Sequence, residues 1–110
     1  MELKEIVLSY FIQFSNKNIS SLKKFFSNDM VLRDWDIEAK GIDAVLEANR
    51  NIFKNVRSIF IEPKNLYQEE NIVIAELIIW INESEIIKVV DIIEFNENQK
   101  IKRIFAYKGN

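Results

Sequence analysis

Leu3, Ile6, Val7, Tyr10 and Phe14 recur at the spacing of one helix face, which predicts a helix over residues 2–16 with Tyr10 midway along its inward stripe. A tyrosine there carries its hydroxyl into the interior, where it needs a partner. Asn18 is placed to cap a short second helix whose inward face is Ile19, Leu22, Phe25 and Phe26, and Ser27-Asn28-Asp29 then breaks the pattern. A period of two takes over from Met30 to Asp36, setting Met30, Leu32, Asp34 and Asp36 on one face of a short strand and Val31, Arg33 and Trp35 on the other. Beyond Gly41, the positions Ile42, Val45, Leu46, Asn49, Ile52, Phe53 and Val56 outline a third amphipathic helix. Only strands follow: 58–67, broken by Pro63; 72–81; 85–95; and 101–108, with turns at 82–84 and 96–99.

Helices first and a meander of long strands afterwards predict a single α+β domain over residues 1–110, with three helices packed on one face of a curved antiparallel sheet. In the strand 72–81, Ile72, Ile74, Ile78 and Trp80 fall on one face and Val73, Ala75, Leu77, Ile79 and Ile81 on the other. Both faces are apolar and the helices of one chain cover only one of them. A homodimer through the second face is therefore expected.

In the strand 85–95, Asp91 falls in line with Ile87, Val89, Ile93 and Phe95, one carboxylate in an apolar row. Burying an ionised carboxylate without partners costs several kcal/mol or more. Asp91 must then be protonated, be bonded to a specific donor, or face a cavity; the alternative is a strand-end residue that reaches solvent or braces a loop.

Composition narrows the chemistry. The chain has no cysteine and no histidine, which removes disulfides, thiolate nucleophiles and the usual proton switch near neutral pH. Proton transfer is left to carboxylates, tyrosine, lysine or water. The formal net charge of −2 is spread along the chain, so neither nucleic acid nor a membrane surface is an expected partner. With Glu2 and Glu5 near the start and no apolar leader, a soluble cytoplasmic protein is expected. Asp34-Trp35-Asp36-Ile37-Glu38 spaces its acids like a calcium loop, but Ala39 stands where the turn needs glycine and Val45 where the closing glutamate belongs, so no metal site is expected. The only glycines, Gly41 and Gly109, form no phosphate-cradling loop, and no cofactor is expected.

The string from Phe25 to Asp34 leading to Gly41-Ile42-Asp43-Ala44-Val45, and Val89-Val90-Asp91-Ile92-Ile93-Glu94-Phe95 leading to Ile101, Ile104, Ala106 and Tyr107, resemble the NTF2-like superfamily of cone-shaped, cystatin-like α+β domains. Within it they are most similar to the SnoaL-like and ketosteroid isomerase branch. The resemblance covers nearly the whole chain. It departs from the branch at Trp35, where a proline is frequent, in a shorter loop from Asp34 to Gly41, and at Gln99, where a glycine is frequent.

Ketosteroid isomerases use a tyrosine in the first helix, an aspartate base after the second helix and a protonated aspartate in the penultimate strand, so the resemblance implies those roles for Tyr10, Asp34 and Asp91. Asp36 shares the expected strand face of Asp34 and is the other candidate base. Trp35, Phe53, Trp80 and Phe105 are core candidates from which the lining of an apolar pocket would be drawn. The implied function is a pocket for a small apolar carbonyl compound, with an isomerase-like or cyclase-like activity that moves a proton at carbon. The alternative is a non-catalytic ligand-binding or dimerisation module that keeps the same cone.

Overall fold

The computed structural model describes residues 2–110. Its helices are α1 (Leu3–Ser15), α2 (Ile19–Phe25) and α3 (Ile42–Asn55), and its strands β1 (Phe26–Arg33), β2 (Glu38–Lys40), β3 (Ile59–Glu69), β4 (Ile72–Ile81), β5 (Glu85–Phe95) and β6 (Ile101–Lys108). Local chemistry explains the helix ends. The Asn18 side chain accepts a hydrogen bond from the Ser21 amide at 3.2 Å and starts α2. Gly41, at φ 90, turns the chain into α3 in a conformation that side chains rarely tolerate. Lys17 closes the other end of α3, donating from Nζ to the carbonyls of Phe53, Val56 and Arg57 at 3.0, 2.6 and 3.1 Å. A cation at three orphan carbonyls is well placed against the helix dipole.

The six strands form one sheet in the order β2-β1-β6-β5-β4-β3. Three features differ from the sequence expectation. First, β1 begins at Phe26 rather than Met30, so Ser27, Asn28 and Asp29 are strand residues that a register shift between Phe26 and Val31 accommodates. Second, a three-residue strand β2 pairs antiparallel with the end of β1, returning the chain before α3. Third, β1 pairs parallel with β6, so the sheet is mixed rather than antiparallel. The hairpin to β2 occupies one edge of β1; α3 then carries the chain to the far side, and the meander from β3 returns to the free edge with β6 running in the direction of β1. Elsewhere the pattern holds, including the irregularity that Pro63 imposes, seen as a register shift between Pro63 and Asn65 in β3. In the turn before β6, Gln99 adopts φ 61, the left-handed conformation that a glycine takes with less strain.

All three helices lie on the inner face of the sheet. Val7, Leu22 and Val45 meet Val73, Ala75, Ile93 and Ile104 in one buried cluster. The outer face carries the other parity: Phe60, Ile74, Ile86, Val90 and Tyr107, drawn from four adjacent strands, are exposed. Among the described residues, no helix is long and apolar enough to cross a membrane.

Candidate functional site

Where the sheet curves away from the helices, it leaves a cavity of about 270 Å³ between α1, α3 and the inner residues of β1 and of β3 to β6. Its wall is chiefly aliphatic, from Ile59, Ile61, Ile79, Ile87, Val89 and Ile104. Five polar side chains interrupt it: Tyr10, Asp34, Asp36, Asn49 and Asp91. The three residues singled out as catalytic candidates thus border one space.

Asp91 sits in the middle of β5 with Ala75 of β4 on one side and Ala106 of β6 on the other. Two methyl groups offer no hydrogen bond, yet they leave room around the carboxyl. The residue is 8% exposed. Burial pushes its pKa up to about 7, and the negative charge of Asp34 adds to the rise. Asp91 is therefore an acid poised to hold its proton near neutrality. Tyr10 reaches the same region from α1, its ring tilted or edge-on to those of Phe11, Phe14, Phe25 and Phe26 at centroid distances of 5.5 to 6.1 Å. Its pKa is also raised, by burial first and by the charge of Asp91 second, so its hydroxyl stays a donor. Among the described residues, charge couples Tyr10 to Asp91 but no hydrogen bond joins them. Their polar ends are left to meet whatever enters the cavity.

Asp34 follows the last residue of β1. Its Oδ1 accepts from the amides of Asp36 and Ile37 at 2.8 and 2.7 Å, while its own amide donates to the Ile37 carbonyl at 2.9 Å. This Asx turn ends the strand at Arg33, so Asp34 and Asp36 do not share a strand face as the period of two had suggested. Asp34 is half-buried and Asp36 exposed, both on the lining. The turn fixes the Asp34 carboxylate and leaves Oδ2 for a ligand.

Of the four aromatic residues considered for the lining, only Trp35 is found there, 40% exposed, with the Lys108 ammonium 5.8 Å from its ring centroid. Phe53 is buried in the core, edge-on to Phe14 at 4.8 Å. Trp80 lies on the outer face of β4 and donates to Glu62 Oε1 at 3.0 Å. Phe105 is also outside, with the guanidinium carbons of Arg33 and Arg103 at 4.5 and 4.9 Å from its ring centroid. Strand parity explains both misplacements, since Trp80 is out of step with the inward Val73, Ala75 and Leu77, and Phe105 lies next to the inward Ile104. Asn49 is a polar residue of the site beyond the candidates named from sequence. It stood in the inward stripe of α3, and a polar residue in such a stripe was the signal.

Residues 7–104 match the family model of the SnoaL-like domain. The chain belongs to the SnoaL-like family. No curated protein matches its sequence. Among solved structures, the SnoaL-like chain is similar to an NTF2-like protein of unknown function from Cytophaga hutchinsonii, with TM-score 0.84, 13% identity, and coverage of 99% of this chain and 91% of that one. It is equally similar to a protein of Shewanella denitrificans named provisionally a SnoaL-like polyketide cyclase, with TM-score 0.85, 14% identity, and coverage of 97% and 90%. A third is SalBIII, an epoxide hydrolase/cyclase-like enzyme of pyran ring formation in the polyether salinomycin, with TM-score 0.85, 19% identity, and coverage of 97% and 90%. At these identities the likeness shows the NTF2-like, cystatin-like fold. Among the described residues of this SnoaL-like domain, no group of three or more carboxylates is placed to hold a metal ion.

Proposed function

We propose that the cavity binds a small apolar carbonyl compound and moves a proton at the carbon beside the carbonyl. Asp34 is the base. Its free carboxylate oxygen takes the proton from carbon, the electron pair of the broken C–H bond shifts to the carbonyl oxygen, and the resulting enolate accepts hydrogen bonds from Tyr10 and from protonated Asp91. Return of the same proton from Asp34 to a different carbon of a conjugated enolate completes an isomerisation; where the enolate carbon instead bonds to an internal carbonyl carbon, the π electron pair of that carbonyl moves to its oxygen, and the proton returned to this alkoxide completes a ring closure. The observation that carries this reading is the convergence of Tyr10, Asp34 and Asp91 on one aliphatic cavity.

Naphthol, a planar phenol that imitates an enolate, tests the two donors without knowledge of the substrate. Calorimetric titration near pH 6 is expected to show binding that Asp91→Leu weakens by about tenfold or more, as loss of a buried hydrogen-bonding group predicts. Equal affinity for wild type and variant removes Asp91 from the scheme.

A non-catalytic ligand-binding module is the second reading. It is favoured by the commitment of Asp34 Oδ1 to two backbone amides, which gives that residue a structural task. On either reading, we propose that a second copy of the chain covers the outer face, because Phe60, Ile74, Ile86, Val90 and Tyr107 make it apolar across four strands. Sedimentation at micromolar concentration is expected to give a dimer that Ile74→Lys dissociates; a wild-type species of monomer mass alone would exclude this assembly.

A further inference from the structure

Two buried side-chain atoms among the described residues lack any hydrogen-bond partner, Arg103 Nε and Asn49 Nδ2. The first has a ready account, since the same guanidinium is paired with Glu94 through Nη2 at 2.8 Å. Asn49 has no such account. It is 2% exposed, lies on α3 in the buried stripe with Val45, Leu46 and Phe53, and borders the cavity. A helix core position of this kind is filled at no polar cost by leucine or isoleucine. An amide kept there without a protein partner is a standing penalty in the empty protein unless something else meets it.

We propose that Asn49 is a specificity-determining ligand contact, and that the natural occupant of the cavity carries a second oxygen function besides the one held by Tyr10 and Asp91. The inference rests on the reading of the cavity as the ligand site and adds to it a substrate class: a dioxygenated apolar compound such as a diketone, a hydroxy ketone or a keto ester. The terminal amide torsion of asparagine is soft, so a modest rotation turns either the donor or the acceptor end to the ligand. The otherwise aliphatic lining then offers polar groups from α1 and β5 and a further one from α3. A ligand with a single oxygen leaves the Asn49 amide unmet, and discrimination of this kind is stronger than rejection on size alone.

A series of dihydroxynaphthalenes compared with naphthol tests this, because a hydroxyl serves either end of the amide. At least one isomer is expected to bind wild type about tenfold more tightly than naphthol, the scale of a buried hydrogen bond gained. Asn49→Leu should erase that advantage, so that the favoured dihydroxynaphthalene and naphthol bind the variant within about twofold of each other, and raise the thermal midpoint of the protein without ligand by removing an unmet amide. If the leucine does not fold, Asn49→Ala serves for the same comparison. An advantage that survives in the variant, or no isomer that exceeds naphthol on wild type, overturns the proposal and leaves Asn49 with an internal water as its partner. Failure of the underlying site reading looks different: naphthol affinity would be indifferent to Tyr10→Phe and to Asp91→Leu, whatever Asn49 does.

Discussion

Asp91→Asn is expected to stabilise the folded protein relative to wild type by an amount that grows by about 4 kcal/mol between pH 4 and pH 8. The sign follows from the direction of the shift. The carboxyl of Asp91 has an ordinary value of 3.8 and is raised to about 7 in the fold, by burial between Ala75 and Ala106 first and by the charge of Asp34 second. Below the ordinary value it is neutral in folded and unfolded chains alike, and burial costs no charge. As pH rises from there towards 7, the unfolded chain gives up its proton while the folded chain keeps it. The folded state then binds more protons than the unfolded one, and stability falls with pH. Above 7 both forms are ionised and the loss is complete. An asparagine does not titrate, so it adds only a constant. Urea unfolding of both proteins at several pH values isolates the step, because the other carboxylates are common to the pair. Parallel stability profiles would show that Asp91 is ionised in the fold at no cost, and that its site is wetter than the packing around it suggests.

The apolar row around Asp91 was enough to mark it from sequence, because strand parity is rigid: a residue flanked by Val89 and Ile93 shares their face wherever the sheet goes. Tyr10 was legible for the matching reason in a helix. What the sequence concealed lay at the ends of elements and in their pairing. Periodicity carries the strand through Asp34 to Asp36, but the Asp34 carboxylate captures the amides of Asp36 and Ile37 and β1 ends at Arg33, three residues short, a contest between side chain and ladder that periodicity does not register. The parallel pairing of β1 with β6 depends on where α3 delivers the chain, which is a long-range outcome. Trp80 and Phe105 are apolar enough for the core or the pocket, but their own parity places them outside with Glu62, Arg33 and Arg103. Asn49 is legible as a polar residue in the inward stripe of α3, but that its Nδ2 has no partner shows only in the fold.

Asp34→Asn is expected to abolish proton exchange at carbon while leaving the fold intact. The assay is uptake of deuterium from heavy water beside the carbonyl of a rigid bicyclic ketone, β-tetralone, followed by proton magnetic resonance. Loss of a positioned general base lowers such a rate by roughly 100-fold to 10,000-fold. Asparagine keeps an Oδ1 that can still accept from the amides of Asp36 and Ile37, so the Asx turn survives and the substitution removes only the basic oxygen left to the ligand. The three polar residues should then separate by their response. Tyr10→Phe deletes a donor and should cost on the order of 100-fold to 1,000-fold. Asp91→Asn should be mild, since an amide still donates. Its pH profile is the sharper reading: in wild type the donor is present only while Asp91 is protonated, so exchange should decline as pH rises through about 7, and the asparagine variant should lack that decline. Full exchange in Asp34→Asn, with the naphthol site preserved, would assign Asp34 to the turn alone and pass the role of base to Asp36, the other carboxylate on the lining; exchange by wild type no faster than in buffer would make this SnoaL-like domain a binding module.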